Sequence, residues 1–165
     1  MAKEKIKKTD DALFPAGDKG GVYLVVVDDS PEFDAALRRV AKLAKKNQAH
    51  AALLYVIEEE GFLHWNFIEK QIRKDQRQEA EKALWEAAQR LYDLSGRISG
   101  FYIKEGKTFR GVSQILNTDP MIRALVLGAS SVSSNPLISY FTGKGLSELR
   151  VPLLIVPEDL ETSVE

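Results

Sequence analysis

Between Ala124 and Gly145 the chain reads ALVLGASSVSSNPLISYFTGKG. An apolar run breaks at Gly128, and Ser130, Ser131, Ser133, Ser134, an Asn-Pro pair and Gly143-Lys144-Gly145 follow. Small residues suit an anion, because a turn without bulky side chains can aim backbone N–H groups and hydroxyls at phosphate oxygens. Two readings are open from these residues alone: a phosphate cradle, or a polar surface turn. The Walker pattern and a Gly-x-Gly-x-x-Gly after the first strand are both absent. Lys144 between two glycines could meet a phosphate, although a lone Gly-Lys-Gly is a weak signal.

A second candidate is Asp28-Asp29-Ser30, which closes the apolar run Val22 to Val27. A carboxylate there could bind a ribose or a base edge, or could only shape a turn ahead of a helix. Tyr55, Val56 and Ile57 close another apolar run and would wall a planar ring. Catalytic patterns are poorer. The only histidines are His50 and His64, and neither is expected beside the serines, which argues against a Ser-His-Asp arrangement. His64 near Glu58, Glu59 and Glu60 has no recognised ligand spacing and reads as part of a solvated acidic turn. Trp65 and Trp85 read as packing residues. The sole enzymatic reading is a slow ATPase in which Asp28 or Asp29 with Mg²⁺ positions water; no catalytic residue is assigned.

The elements that must position these residues follow from patterning. Val22–Val27 and Ala51–Ile57 are short, β-branched or aliphatic and apolar throughout, as strands buried on both faces are. Between them Ser30 suits a helix N-cap, Pro31 the first helical position and Glu32 the first turn. Phe33, Ala36, Leu37, Val40, Ala41 and Ala44 then fall on one helical stripe. From about Phe62 to Leu94 a charged, weakly patterned stretch, a separate short helix or a mobile lid, leads into a firm helical repeat of Ala80, Ala83, Leu84, Ala87, Leu91 and Leu94. ISGFYIKEG is a third strand with the weaker pattern of a sheet edge, TFRGVSQILNTDP a short helix burying Val112, Ile115 and Leu116. RALVLG and VPLLIVP are the fourth and fifth strands. Strands alternating with amphipathic helices predict a doubly wound parallel sheet in a three-layer α/β/α sandwich. In such sheets the ligand crevice lies beyond the carboxyl ends of the strands, where strand order reverses. This points to Val27 through Ser30, Tyr55 through Ile57, and Gly128 through Ser134.

Composition is compatible with one domain. The chain has 165 residues, a formal net charge of −1 and no cysteine. Near-neutrality gives no reason to expect nucleic acid or an anionic membrane as partner, and the lack of thiols fits a reducing cytoplasm. No apolar run approaches the roughly 18 residues of a membrane span. Residues 1–20 read as a flexible N-terminal tail without the apolar core of a signal peptide, 21–158 as the domain, and 159–165 as an acidic flexible tail.

Taken in order, these strings resemble the universal stress protein (UspA-like) family. The strand ending in Asp-Asp-Ser is similar to that family's Asp-Gly-Ser, "IKEG" to its third-strand ending, "ALVLGAS" to its Leu-Ile-Val-Met-Gly-Ser, and "VPLLIVP" to its closing strand. The resemblance implies an adenine nucleotide alpha hydrolase-like sheet of order 3-2-1-4-5, a homodimer through the strand Val151–Val156, and a cytoplasmic stress-response role. It also implies ATP or another adenine nucleotide as ligand, with Mg²⁺ only alongside the nucleotide. Residue by residue the resemblance implies Asp28, Val56, Gly106, Leu127 and Gly128; the strand ends and the loop add Val27, Ser30, Ser130, Ser131, Gly143, Lys144 and Gly145 as binding candidates. The family's Gly-x-x-Gly, nine residues, then Gly-Ser or Gly-Thr is altered here. Its second glycine is Ser131, Tyr140-Phe141 stands nine residues on, and Gly143-Lys144-Gly145 comes two residues late. The alternative is a family member that binds no nucleotide and acts through protein contacts.

Overall fold

The computed structural model describes residues 20–59 and 66–159. Five strands, β1 (Val22–Val26), β2 (His50–Ile57), β3 (Ser99–Glu105), β4 (Ile122–Ala129) and β5 (Leu153–Pro157), form one sheet. Its order is β3-β2-β1-β4-β5, and every neighbouring pair is parallel. The helices are α1 (Pro31–Asn47), α2 (Asn66–Ser95), α3 (Thr108–Thr118) and α4 (Pro136–Phe141), with a 3₁₀ turn at Leu146–Glu148 before β5. This is the doubly wound α/β/α sandwich with the order 3-2-1-4-5.

The apolar runs are explained by burial on both faces. Val25, Ala51, Leu53 and Val126 point to the layer of α1 and α2, where they meet Leu37, Val40, Leu84 and Leu91. Their neighbours Leu24, Val26, Ala52, Leu54, Leu125 and Leu127 point to the other face and pack with Val112, Ile115 and Phe141. Successive side chains of a strand alternate between faces, so a strand covered twice has no polar register. Val112, Ile115 and Leu116 are the buried face of α3 as expected, and β3 is an edge strand as its weaker pattern suggested.

Three local features differ from the sequence expectation. Ser30 occupies the N-cap of α1 but makes no side-chain cap bond; its hydroxyl donates instead to Asp28 Oδ1 at 2.5 Å. The charged stretch is not a separate element over its described part: α2 runs unbroken for 30 residues. Its front half is solvated and held by pairs four residues apart, such as Arg73 to Glu69 at 2.7 Å and Gln71 to Asp75 at 2.9 Å, each worth about 0.2–0.5 kcal/mol in a helix. Trp85 is not a packing residue. It lies off the Ala80–Leu84–Ala87–Leu91 stripe, is 67% exposed and meets Phe101 of β3 edge-on at 5.2 Å. Glu60, His64, Trp65 and the tails 1–19 and 160–165 lie outside the described residues. Among the described residues no helix is long and apolar enough to cross a membrane.

Candidate functional site

A cleft of about 720 Å³ opens at the carboxyl ends of β1 and β2. Its floor and one wall are Val26 at the end of β1 and Val27 to Asp29 after it, with Tyr55 and Val56 at the end of β2 and Glu58 and Glu59 beyond it. The opposite side is the start of α3, Gly106 to Phe109, together with Asn135, Pro136 and Leu137 at the start of α4. It lies at the place a doubly wound sheet reserves for ligands, where chains leave β1 in opposite directions.

Each wall has a local cause. Val27 continues β1 by one bond, its N–H donating to Leu54 O at 2.7 Å. The chain then turns on Asp28, whose Oδ1 accepts from Ser30 N at 2.9 Å as well as from the Ser30 hydroxyl. Asp28 is therefore a turn residue, and its second carboxylate oxygen is not used by that turn. Gly106 has φ of +112°, a conformation that L side chains rarely adopt. Its N–H donates to Ile57 O at 2.9 Å, which brings the start of α3 over the cleft. There Thr108 Oγ1 donates to Glu58 Oε1 at 2.7 Å. Across the cleft Asn135 caps α4, accepting from Leu137 N at 2.9 Å while its amide donates to Gly128 O at 2.9 Å. The Asn-Pro pair is thus a helix start, with proline at the first helical position. Behind this wall Phe109 stacks on Tyr140 at 4.3 Å, coupling α3 to α4.

The electrostatics are mostly negative. Asp28, Asp29, Glu58 and Glu59 line the cleft, and Lys107 is the one cation among its described lining residues. Burial raises the Tyr55 phenol above its ordinary value, with Glu79 and Asp29 adding to the effect, so the phenol stays a protonated donor at neutral pH. Behind the cleft, hydrogen bonds from Ser113 and Tyr140 hold the Glu148 carboxyl below its ordinary value. Among the described residues no group of three or more His, Cys, Asp or Glu side chains could hold a metal ion. His50 is buried at the amino end of β2, with Nδ1 3.0 Å from Ile98 O, far in the fold from the cleft.

Of the residues singled out in the sequence, Val27, Asp28, Val56 and Gly106 come together in the cleft lining. Ser30 lies one turn on, bonded to Asp28. Leu127 is buried beneath the sheet surface in the core. Gly128 lies where a Cβ would meet the Glu32 carbonyl oxygen, a close approach of β4 to α1. Ser130 Oγ accepts from Val132 N at 3.2 Å within its own loop, and Ser131 is exposed. Gly143, Lys144 and Gly145 form the turn that ends α4: Gly145 N donates to Tyr140 O at 2.8 Å, the Tyr140 ring lies over Gly145, and Lys144 Nζ sits 5.7 Å from that ring. None of these last seven residues lines the cleft. Lys107, Thr108, Phe109 and Asn135 do, and the sequence reading missed them. The available signal was the glycine turn after the third strand, which announces a helix start at that end of the sheet.

The comparisons agree with this architecture. The model of the universal stress protein family matches residues 23–131. No curated protein matches significantly. Among solved structures, universal stress protein UspA from Lactobacillus plantarum is 16% identical and has a TM-score of 0.67 over 82% of this chain and 97% of its own. A universal stress protein family protein from Arabidopsis thaliana with AMP bound is 14% identical, with a TM-score of 0.62 over 87% and 95%. The universal stress protein from Archaeoglobus fulgidus in complex with dAMP is 15% identical, with a TM-score of 0.57 over 82% and 97%. These structures share the fold, and the family model covers most of the described domain. The chain belongs to the universal stress protein family.

Proposed function

We propose that the cleft binds ATP or another adenine nucleotide, with Mg²⁺ only alongside it, and that the protein is a cytoplasmic regulator in the stress response rather than an enzyme. One observation carries the reading: at the strand-order reversal a carboxylate, Asp28, stands beside apolar walls from Val27, Val56 and Phe109 in a single cleft. That combination suits a planar base with an attached ribose. The Asp28 oxygen not engaged by Ser30 would accept from a ribose hydroxyl, and the Asp28–Ser30 bonds would hold it in place before binding. The relatives whose structures carry AMP and dAMP support an adenine ligand. The absence of thiols supports the cytoplasm.

Calorimetric titration with adenosine, AMP and ATP tests the proposal. Asp28→Ala is expected to weaken binding at least about tenfold, the worth of one hydrogen bond to a charged group. No heat from any of the three at millimolar concentration would sink it.

A second reading, action through protein contacts, is favoured by sheet edges that are unpaired among the described residues. Ile155 on the edge strand β5 is 46% exposed, and unpaired apolar edges are normally covered. We place a homodimer on this strand, within Val151–Val156. Sedimentation should report a dimer that Ile155→Lys converts to monomer; a strictly monomeric unmodified protein refutes it.

A further inference from the structure

We infer that the cleft selects the nucleoside end of its ligand, taking adenosine or its monophosphate and disfavouring the triphosphate. This rests on the adenine reading above and adds to it a charge filter. Among the described residues, Asp28, Asp29, Glu58 and Glu59 line the cleft against Lys107 alone. A neutral nucleoside meets no net repulsion there. A single phosphate can be balanced by Lys107, while every further phosphate adds negative charge beside carboxylates with no second cation among the described lining residues.

Four groups that could have offset this charge are engaged elsewhere. The Thr108 hydroxyl, at the start of α3, is spent on Glu58 at 2.7 Å. Asn135 uses its oxygen on Leu137 N and its amide on Gly128 O. The Ser130 hydroxyl accepts from Val132 N. Lys144 lies beside the Tyr140 ring in the turn after α4, outside the cleft lining. Gly128 is packed against α1, Ser130 and Asn135 are bonded within the stretch, and the exposed Ser131, Ser133 and Ser134 lie outside the cleft lining. The acidic rim is exposed, so its effect is screened within about a Debye length, roughly 8–10 Å, and must depend on salt.

The test is isothermal titration of the full chain with adenosine, AMP, ADP and ATP in EDTA at low salt. Affinity is expected to fall with each phosphate after the first, with ATP at least about tenfold weaker than adenosine, the scale of several unit charges interacting near a protein surface. Added salt and the double substitution Glu58→Gln, Glu59→Gln should each narrow the ATP-to-adenosine ratio. Lys107→Ala should weaken AMP more than adenosine. Circular dichroism of each variant checks that it is folded. ATP binding as tightly as adenosine in EDTA, or a ratio indifferent to salt and to the double substitution, overturns the charge filter while leaving adenine binding intact. Failure of adenosine, AMP and ATP alike overturns the adenine reading and the filter with it.

Discussion

Phe141→Ala is expected to destabilise the domain by about 3–5 kcal/mol, the range for truncating a fully buried phenylalanine. Phe141 has 0% exposure and packs in the core cluster of Leu125, Leu127 and Ile115, edge-on to Tyr140 at 5.1 Å. It also ends α4, a helix of only 6 residues. A helix that short is not stable by its own hydrogen bonds and depends on tertiary anchoring. Phe141 and the buried Leu137 are its two anchors. Removing one ring therefore does more than leave a cavity: it frees the element that presents Asn135, Pro136 and Leu137 to the cleft. Urea denaturation should show a lowered midpoint with little change in slope, and amide exchange should accelerate over 137–145 before the rest of the domain. A loss below about 1 kcal/mol, a small fraction of the cavity cost, would show that α4 is not part of the cooperative core.

Gly128→Ala is expected to cost about 3 kcal/mol, at or beyond the upper end for overpacking a tight interior. The added Cβ would fall 1.9 Å from the Glu32 carbonyl oxygen and 2.9 Å from its Cβ. Neither contact is with a flexible chain end. The carbonyl belongs to the first turn of α1, and Gly128 is paired with Val156 in the β4–β5 ladder, so relief requires moving α1 against the sheet. The comparison is Ser131→Ala in the exposed loop three residues on, where a change within about 0.5 kcal/mol is expected. Thermal and urea unfolding of both variants would check the contrast. Equal, small effects at 128 and 131 would mean that α1 and β4 do not approach as closely as the structure has them. Gly128 thus has a packing reason for being glycine that is separate from any ligand.

How far the sequence could be read depended on the range over which each feature is determined. β1, β2 and β4 were legible because burial on both faces leaves an uninterrupted apolar run, a property of five to eight consecutive residues. The stripe on α1 was legible for the same reason. The front half of α2 was not, since a solvated helix held by pairs such as Arg73–Glu69 has no apolar stripe to detect. Trp85 was misread because helical spacing says which residues share a face, while only the position of the β3 edge says that this face meets solvent.

The site divides along the same line. By itself the sequence determined the strands, the helix stripes, the family and the strand ends that carry Val27, Asp28, Val56 and Gly106, because each is written in local periodicity and turn chemistry. Only the tertiary structure decided which loops share the cleft. The Gly106 turn swings Lys107, Thr108 and Phe109 over it, whereas Gly143 to Gly145 close back on Tyr140. Those outcomes depend on contacts between segments distant in sequence: the Gly106–Ile57 bond, the Phe109–Tyr140 stack and the approach of Gly128 to Glu32. A serine- and glycine-rich stretch has the chemistry for phosphate in any fold. Whether it faces a ligand is set by what packs behind it.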